Sequence, residues 1–357
     1  MGKQAGEVRW ERFPRVAGSP EGKQWLEIQA MLGLAQNTVE AYGRGLEDFL
    51  RWCGRSRVMA GSAGRDDVAR YVVDLRQRRG PRGKGVVVLD SGAGLSNATI
   101  QQRLTAVRLF FDFLIEEGIR ETNPVGRGRY TPTKGFGTKT ARGLVRRYKR
   151  LPWVPSDEEW HRFLKHARDA PIRNRCMLAL AYDAALRREE LCGLHAGDIQ
   201  PAHRLLRIRA ETSKSGQDRV VPYSAPTGVL LAAYLAHRRR LSRERGALFL
   251  SESRRNYARP ITLWTWSKVV RRIANAAELP RFSTHTLRHL CLSDLARAGW
   301  DLHEIARFAG HRNVSVTQQY IHLSGRDLAE KLSDGMAQIH QWRTEQLAKP
   351  ERADELR

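Results

Sequence analysis

Between Phe282 and His322 the sequence runs FSTHTLRHLCLSDLARAGWDLHEIARFAGHRNVSVTQQYIH, and it gathers His285, Arg288, His311 and Tyr320 within one short stretch. Two imidazoles, a guanidinium and a phenol so placed suit a site for a phosphate and a nucleophile. Ser283 or Thr284 can cap a helix in which Leu287, Leu290, Cys291 and Leu295 share one face. His285 and Arg288 then lie one turn apart, near an amide-rich helix start that favours anions. Asp301 opens a second helix with Leu302, Ile305 and Ala309 inward, and Gly310 ends it in the position favoured for a left-handed residue. His311 follows that stop directly. A third helix, from about Ser315, carries Tyr320 in its body.

Other elements must hold these groups. Ser156-Asp157-Glu158-Glu159 reads as a capping box ahead of Trp160, Phe163 and Leu164. A mostly apolar helix from Cys176 to Tyr182 leads into AALRREELCGL, with Arg187 and Glu190 one turn apart. Strands at about 205–210 and 219–223 flank ETSKSGQD, which makes a hairpin with Lys214 near its tip. Helices are expected at about 227–240 and 262–278. Beyond Gly325, the residues Leu328, Leu332, Met336 and Ile339 fall on one helical face suited to docking on this subunit or a neighbour.

The N-terminal part reads differently. Residues 1–20 lack periodicity and read as an arm. From 21 to 121 the pattern is helical: Val39, Tyr42, Leu46, Phe49 and Cys53; then Val68, Tyr71, Val72 and Leu75 after Asp66; then Ile100, Leu104, Val107, Phe111 and Leu114 after a Ser96 cap. The glycine-rich stretch between the last two reads as a loop, with a short hairpin near Val86 to Val88, and it has no P-loop pattern.

The chain has 357 residues and a formal net charge of +24, which calls for a polyanionic partner, nucleic acid first. From Thr122 to Ser156 there is no acidic residue, whereas Arg127, Arg129, Lys134, Lys139, Arg142, Arg146, Arg147, Lys149 and Arg150 are interleaved with aromatics. Such a run would repel itself unless neutralised, so the expectation is a basic linker laid along a phosphate backbone, against the plainer alternative of a solvated tether. The four cysteines form no C-x-x-C pair and read as buried thiols. No signal-peptide core and no long apolar run is present, so the expectation is a soluble, cytoplasmic protein without a membrane partner.

The order Arg187, Lys214, His285-x-x-Arg288, His311, Tyr320 resembles the tyrosine recombinase, or phage-type integrase, family. ALRREEL is similar to its first arginine box, HTLRH to its H-x-L-R-H box, and GHRNVSVTQQYIH to the box that ends in the nucleophilic tyrosine. The departures are Ala185 in place of a usual Gly, the extra charges Arg188 and Glu189, and Ala309 in place of a common Leu. The resemblance implies a mainly α protein with a small antiparallel β-sheet in an α+β catalytic domain, built as a two-domain DNA clamp. Its parts would be an arm over 1–20, a helical SAM-like DNA-binding domain over 21–121 and the linker over 122–155. The catalytic domain would cover 156–325, and a C-terminal helix and tail 326–357.

It also implies catalytic roles for Arg187, Lys214, His285, Arg288, His311 and the nucleophile Tyr320, with Glu190 and His289 auxiliary. A phosphodiester is already anionic, so positioning and electrostatics must supply most of the rate gain. Arg187 and Arg288 would neutralise the non-bridging oxygens, each such donor being worth about 2.7 to 4 kcal/mol. His285 would act as general base, Lys214 would protonate the departing 5′ oxygen, and His311 would hydrogen-bond the phosphate. The products would be a 3′-phosphotyrosine link and a 5′ hydroxyl, with no metal, ATP or other cofactor. Double-stranded DNA with paired inverted half-sites would bind a dimer, and two sites a tetramer; a need for accessory proteins is left open. The competing expectations are a type IB topoisomerase-like activity and a non-catalytic architectural DNA-binding factor.

Overall fold

The computed structural model describes residues 7–78, 94–126, 144–145, 151–318 and 320. The chain divides into two compact units, with the boundary between Lys149 and Arg150.

The first unit is helical: α1 (Pro14–Ala17), α2 (Pro20–Met31), α3 (Gln36–Ser56), α4 (Arg65–Gln77) and α5 (Asn97–Glu116). The apolar positions expected on α3, α4 and α5 are the ones that fill its core, apart from the half-buried Tyr42. Gly45 allows α3 and α5 to cross closely, because a Cβ there would lie 2.7 Å from Cβ of Ala106. Asp48 ties three helices together by accepting from Tyr71 (2.7 Å), Arg78 (2.5 Å) and Arg103 (2.6 Å).

Two stretches differ from expectation. Residues read as an arm form a 3-10 turn and α1, with Phe13 and Val16 buried. The buried carboxylate of Glu47 accepts the backbone N–H groups of Arg15 (2.8 Å) and Val16 (3.1 Å), which satisfies the start of α1. Within the basic linker, Val145 is buried in this core and its carbonyl accepts from Gln101 at 2.6 Å. An apolar pair, Leu144–Val145, is enough to dock the chain locally despite the surrounding charge.

The second unit holds α6 (Asp157–Ala167), α7 (Ile172–Asp183), α8 (Arg188–Cys192), β1 (Ile199–Gln200), β2 (Leu205–Ile208) and β3 (Arg219–Pro222). These are followed by α9 (Ala225–Leu241), α10 (Leu263–Ala276), α11 (Thr284–Arg297) and α12 (Leu302–Ala309). The three strands form one antiparallel sheet in the order β1-β2-β3, with Ile208 opposite Arg219. The Ser156 capping box forms as expected, its hydroxyl taking the Glu159 N–H and the Glu159 carboxylate taking the Ser156 N–H. Phe282 stacks on Phe163 with ring centroids 4.0 Å apart, which fixes where α11 begins. Asp301 caps α12 by accepting from His303 and Glu304, and Gly310 closes it at φ 64°. Both expected signals at the ends of α12 are thus present.

All four cysteines are free and buried, and burial raises each thiol to about 12. Among the described residues no helix is long and apolar enough to cross a membrane.

Candidate active site

Ala185 turns the chain out of α7 at φ 46°, a left-handed conformation that glycine would adopt without strain. The turn aims the Ala185 carbonyl at α11, where it accepts from Arg288 at 2.5 Å. Two residues later Arg187 occupies the N-cap of α8 in extended conformation. Its backbone N–H and guanidinium both reach Glu190, each at 2.9 Å.

Glu190 is fully buried and gathers three guanidinium groups. Beside Arg187, it accepts both terminal nitrogens of Arg219 (3.0 and 2.7 Å), and Arg288 lies 4.0 Å away. Burial alone would raise this carboxyl, but hydrogen bonds and charge from Arg219, with Arg187 and Arg288, pull it down to about 2. The pair is therefore no exposed ion pair of marginal value; removing one partner would strand a buried charge. Three guanidinium groups against one carboxylate leave an excess of two positive charges, which suits a phosphodiester whose negative charge grows during attack.

Helical phase on α11 puts His285, Arg288 and His289 along one side. Arg288 is buried and held in place by the carbonyls of Ala185 and Ala309, the second at 2.6 Å. Burial and the neighbouring Arg187 lower it to about 10, so it remains a cation at neutral pH. Its Nη2 also donates to Nε2 of His311 at 2.9 Å. That leaves the His311 proton on Nδ1, where it faces Thr317 Oγ1 at 2.8 Å, a tautomer assigned from the hydrogen bonds. Burial and the three arginines push His311 down to about 3, so the ring is neutral. His285 sits at the exposed rim and makes no hydrogen bond among the described residues. Partial desolvation, with help from Arg188, Arg288 and Arg187, lowers its pKa against the pull of Glu189.

Tyr320 follows a 3-10 turn (Val314–Val316) and is only 1 % exposed. Its ring packs in a small cluster with Ala185, Cys291, Leu292, Ile305 and Ala309 and lies parallel to His311 at 6.2 Å. Its hydroxyl meets Nδ1 of His289 at 2.8 Å. Burial, then His285 and Arg288, lower His289 to about 4. His289, assigned only a supporting part, thus meets the phenol hydroxyl directly.

Lys214 is exposed in the β2–β3 connection, between the buried Ser213 and Ser215 whose hydroxyls meet at 2.7 Å. Asp218 braces the loop, accepting the Ala210 N–H at 2.5 Å and the Arg207 Nε–H at 3.0 Å. Gly216 turns it at φ 65° and faces Arg312.

The structure therefore brings Arg187, Glu190, Arg288, His289, His311 and Tyr320 together, with His285 at the rim and Lys214 on its hairpin. Arg219 was missed from the sequence. Its partner lies 29 residues upstream, and an arginine opening a strand carries no local sign of burial. The cations expected to follow DNA, Arg127, Arg129, Lys134, Lys139, Arg142, Arg146, Arg147, Lys149 and Arg150, lie outside the described residues, as do the expected hairpin near Val86 and the tail beyond Gly325.

Comparison with known proteins places this site. Residues 155–326 match the phage integrase family, and residues 23–118 match the phage integrase N-terminal SAM-like domain. The tyrosine recombinase XerD of Brucella melitensis is 30% identical over 86% of this chain and 93% of its own. XerC of Roseiflexus castenholzii is 29% identical, covering 82% of this chain and 84% of its own. Among solved structures, XerH site-specific recombinase bound to palindromic difH substrate shares the fold at TM-score 0.66 and 18% identity, over 93% and 91% of the two chains. A Tn1549 transposon integrase in complex with transposon right end DNA does so at 0.60 and 16%, over 87% and 98%. Fold and relatives together define a site-specific DNA recombinase, an enzyme that breaks and rejoins strands. The chain belongs to the tyrosine recombinase family.

Proposed function

We propose that Arg187, Lys214, His285, Arg288, His311 and Tyr320 carry the strand exchange, with Tyr320 as nucleophile. The observation that supports this best is the convergence of Arg187 and Arg288 on buried Glu190, one hydrogen bond from His311 and beside Tyr320. The scissile phosphate docks on the Arg187 and Arg288 forks, which match its oxygens in geometry and charge. Tyr320 Oη then attacks phosphorus, and its proton passes to His285. The 5′ oxygen leaves with a proton from Lys214, giving a 3′-phosphotyrosine link and a free 5′ hydroxyl. A 5′ hydroxyl from a partner strand reverses the step, and the bond energy is conserved.

Because the Tyr320 hydroxyl is buried against His289, attack requires it to leave that hydrogen bond for the phosphate. His289 itself, held near 4, is a poor acceptor for a phenolic proton. It holds the hydroxyl, and His285 keeps the role of base. Arg288 likewise turns from His311 Nε2 to the phosphate, and His311 then takes its other tautomer, accepting the Thr317 hydroxyl at Nδ1 and donating Nε2–H to the phosphate.

The larger assembly follows the same reading. The helical domain (21–121) and the catalytic domain (156–325) grip double-stranded DNA as a clamp, and the basic linker runs along its backbone. Two protomers occupy inverted half-sites, two such sites pair as a tetramer, and the enzyme works in the bacterial cytoplasm. Substituting Arg288→Lys and Tyr320→Phe separately, and measuring single-site binding beside cleavage, tests the assignment. Both variants should bind DNA and fail to cleave it; retained cleavage in either would refute its role.

A further inference from the structure

We propose that Arg219 is a positioning residue that holds the Lys214 hairpin, the Arg187 box and the Gly310–His311 turn in one register, an inference that rests on the catalytic roles proposed above. Arg219 opens β3, five residues after Lys214. Its two terminal nitrogens grip the two oxygens of Glu190 at 3.0 and 2.7 Å. The same two oxygens hold the guanidinium and the backbone N–H of Arg187 at 2.9 Å. On its other side Arg219 lies against Gly310, where an added Cβ would come within 2.9 Å of Nη1, 3.1 Å of Cδ and 3.2 Å of Cζ. His311 is the next residue.

One planar fork on the Lys214 hairpin thus touches two further segments distant in sequence, so that three segments, each carrying a group assigned to the reaction, meet at it. Only arginine can hold both oxygens at once; an ammonium offers a point charge without the second parallel bond. The side chain is 9% exposed, and its Nε finds no acceptor among the described residues. A buried donor without a partner is costly, so the arginine is not there for local satisfaction, and the fork is what the fold keeps. Any shift of the hairpin that carries Lys214 would drag Arg219, then Glu190, then Arg187.

The groups that face Glu190 are Arg187 from α8, Arg219 from β3, Arg288 from α11 and His311 after α12. Without Arg219 the buried carboxyl loses the strongest influence that keeps it ionised, and it takes up a proton more readily as pH falls.

The test uses the full chain on its own recombination site, with Arg219→Gln and Arg219→Lys. Covalent adduct formation is followed between about pH 5 and 8 beside single-site affinity, and hydrogen exchange is followed over residues 209–218 and 310–313. Arg219→Gln should slow adduct formation by about 10- to 100-fold, with affinity changed less than about threefold, because the loss is one of placement. It should also lose rate more steeply at acid pH than the wild type, in which protonation of His285 sets the acid limb, and exchange should rise in both segments together. Arg219→Lys keeps the charge, so it should keep the wild-type acid limb while retaining most of the rate defect. A wild-type rate and pH profile in Arg219→Gln would overturn the proposal. So would equal loss of rate, affinity and folding in both variants with the wild-type acid limb unchanged. If the wild type itself forms no adduct, the catalytic reading fails separately, and the exchange data still decide the coupling: no change over 310–313 overturns it.

Discussion

The hydroxyl of Tyr320 lies 2.8 Å from Nδ1 of His289, so the phenol is partnered by the second histidine of the HTLRH box and not by the first. Because His289 and His311 are both half-buried and both held well below the usual imidazole range, at about 4 and 3, the folded catalytic unit resists taking up protons that the unfolded chain accepts near 6.5. Stability from these two rings is present above about pH 6.5 and is lost as pH falls toward 4 and 3. Urea midpoints at pH 7 and about pH 4.5 should therefore differ less for His289→Gln than for the wild type. Parallel declines would contradict the assignment.

Lys214 separates chemistry from structure. It is exposed and has no hydrogen bond or ion pair among the described residues, so Lys214→Ala should change stability by less than about 0.5 kcal/mol. If it protonates the leaving 5′ oxygen, cleavage should fall by about 10²- to 10⁴-fold. A DNA strand with a 5′-bridging sulfur, whose thiolate leaves without a proton, should restore cleavage to the variant. Failure of that rescue would remove the general-acid role.

Gly310 carries two constraints at one position. It sits at φ 64°, and a Cβ would meet Arg219 at 2.9 Å. Gly310→Ala adds left-handed strain of about 1 to 2 kcal/mol to a clash with a braced guanidinium. The variant should lose more than about 2 kcal/mol of stability by denaturant titration and cleave at least about 10²-fold more slowly. A neutral Gly310→Ala would mean that the turn and Arg219 are not locked together.

Ala185 offers a balanced case. Changing it to Gly relieves left-handed strain of about 1 to 2 kcal/mol, but removes a buried methyl worth about 0.8 kcal/mol and loosens the unfolded chain by a similar amount. The terms nearly cancel, so Ala185→Gly should lie within about 1 kcal/mol of the wild type in thermal unfolding. Ala185→Val, β-branched at positive φ, should instead destabilise and displace the carbonyl that holds Arg288.

Much of this site could be read from the sequence because its signals are local. Ser156, Ser96 and Asp301 cap the helices expected of them, Gly310 stops α12, and two short strands on either side of ETSKSGQD give the hairpin. What escaped was set by long-range partners. Glu47 fixes the stretch before Pro20 from more than thirty residues away, Val145 docks out of a basic run onto α5, and Arg219 finds Glu190 across the fold. The His289 contact with Tyr320 spans 31 residues and depends on the path between two helices, which no periodicity encodes. β1, two residues long, is too short to announce itself.

The central claim is that Tyr320 becomes covalently joined to DNA. Protein–DNA adducts recovered from cells under denaturing conditions, with the linked ends sequenced and the protein digested for mass spectrometry, test it directly. The wild type should yield adducts at a defined sequence, with a phosphonucleotide on the peptide that carries Tyr320, and Tyr320→Phe should yield none while still binding DNA. Adducts persisting in Tyr320→Phe, or a modification on another residue, would contradict it.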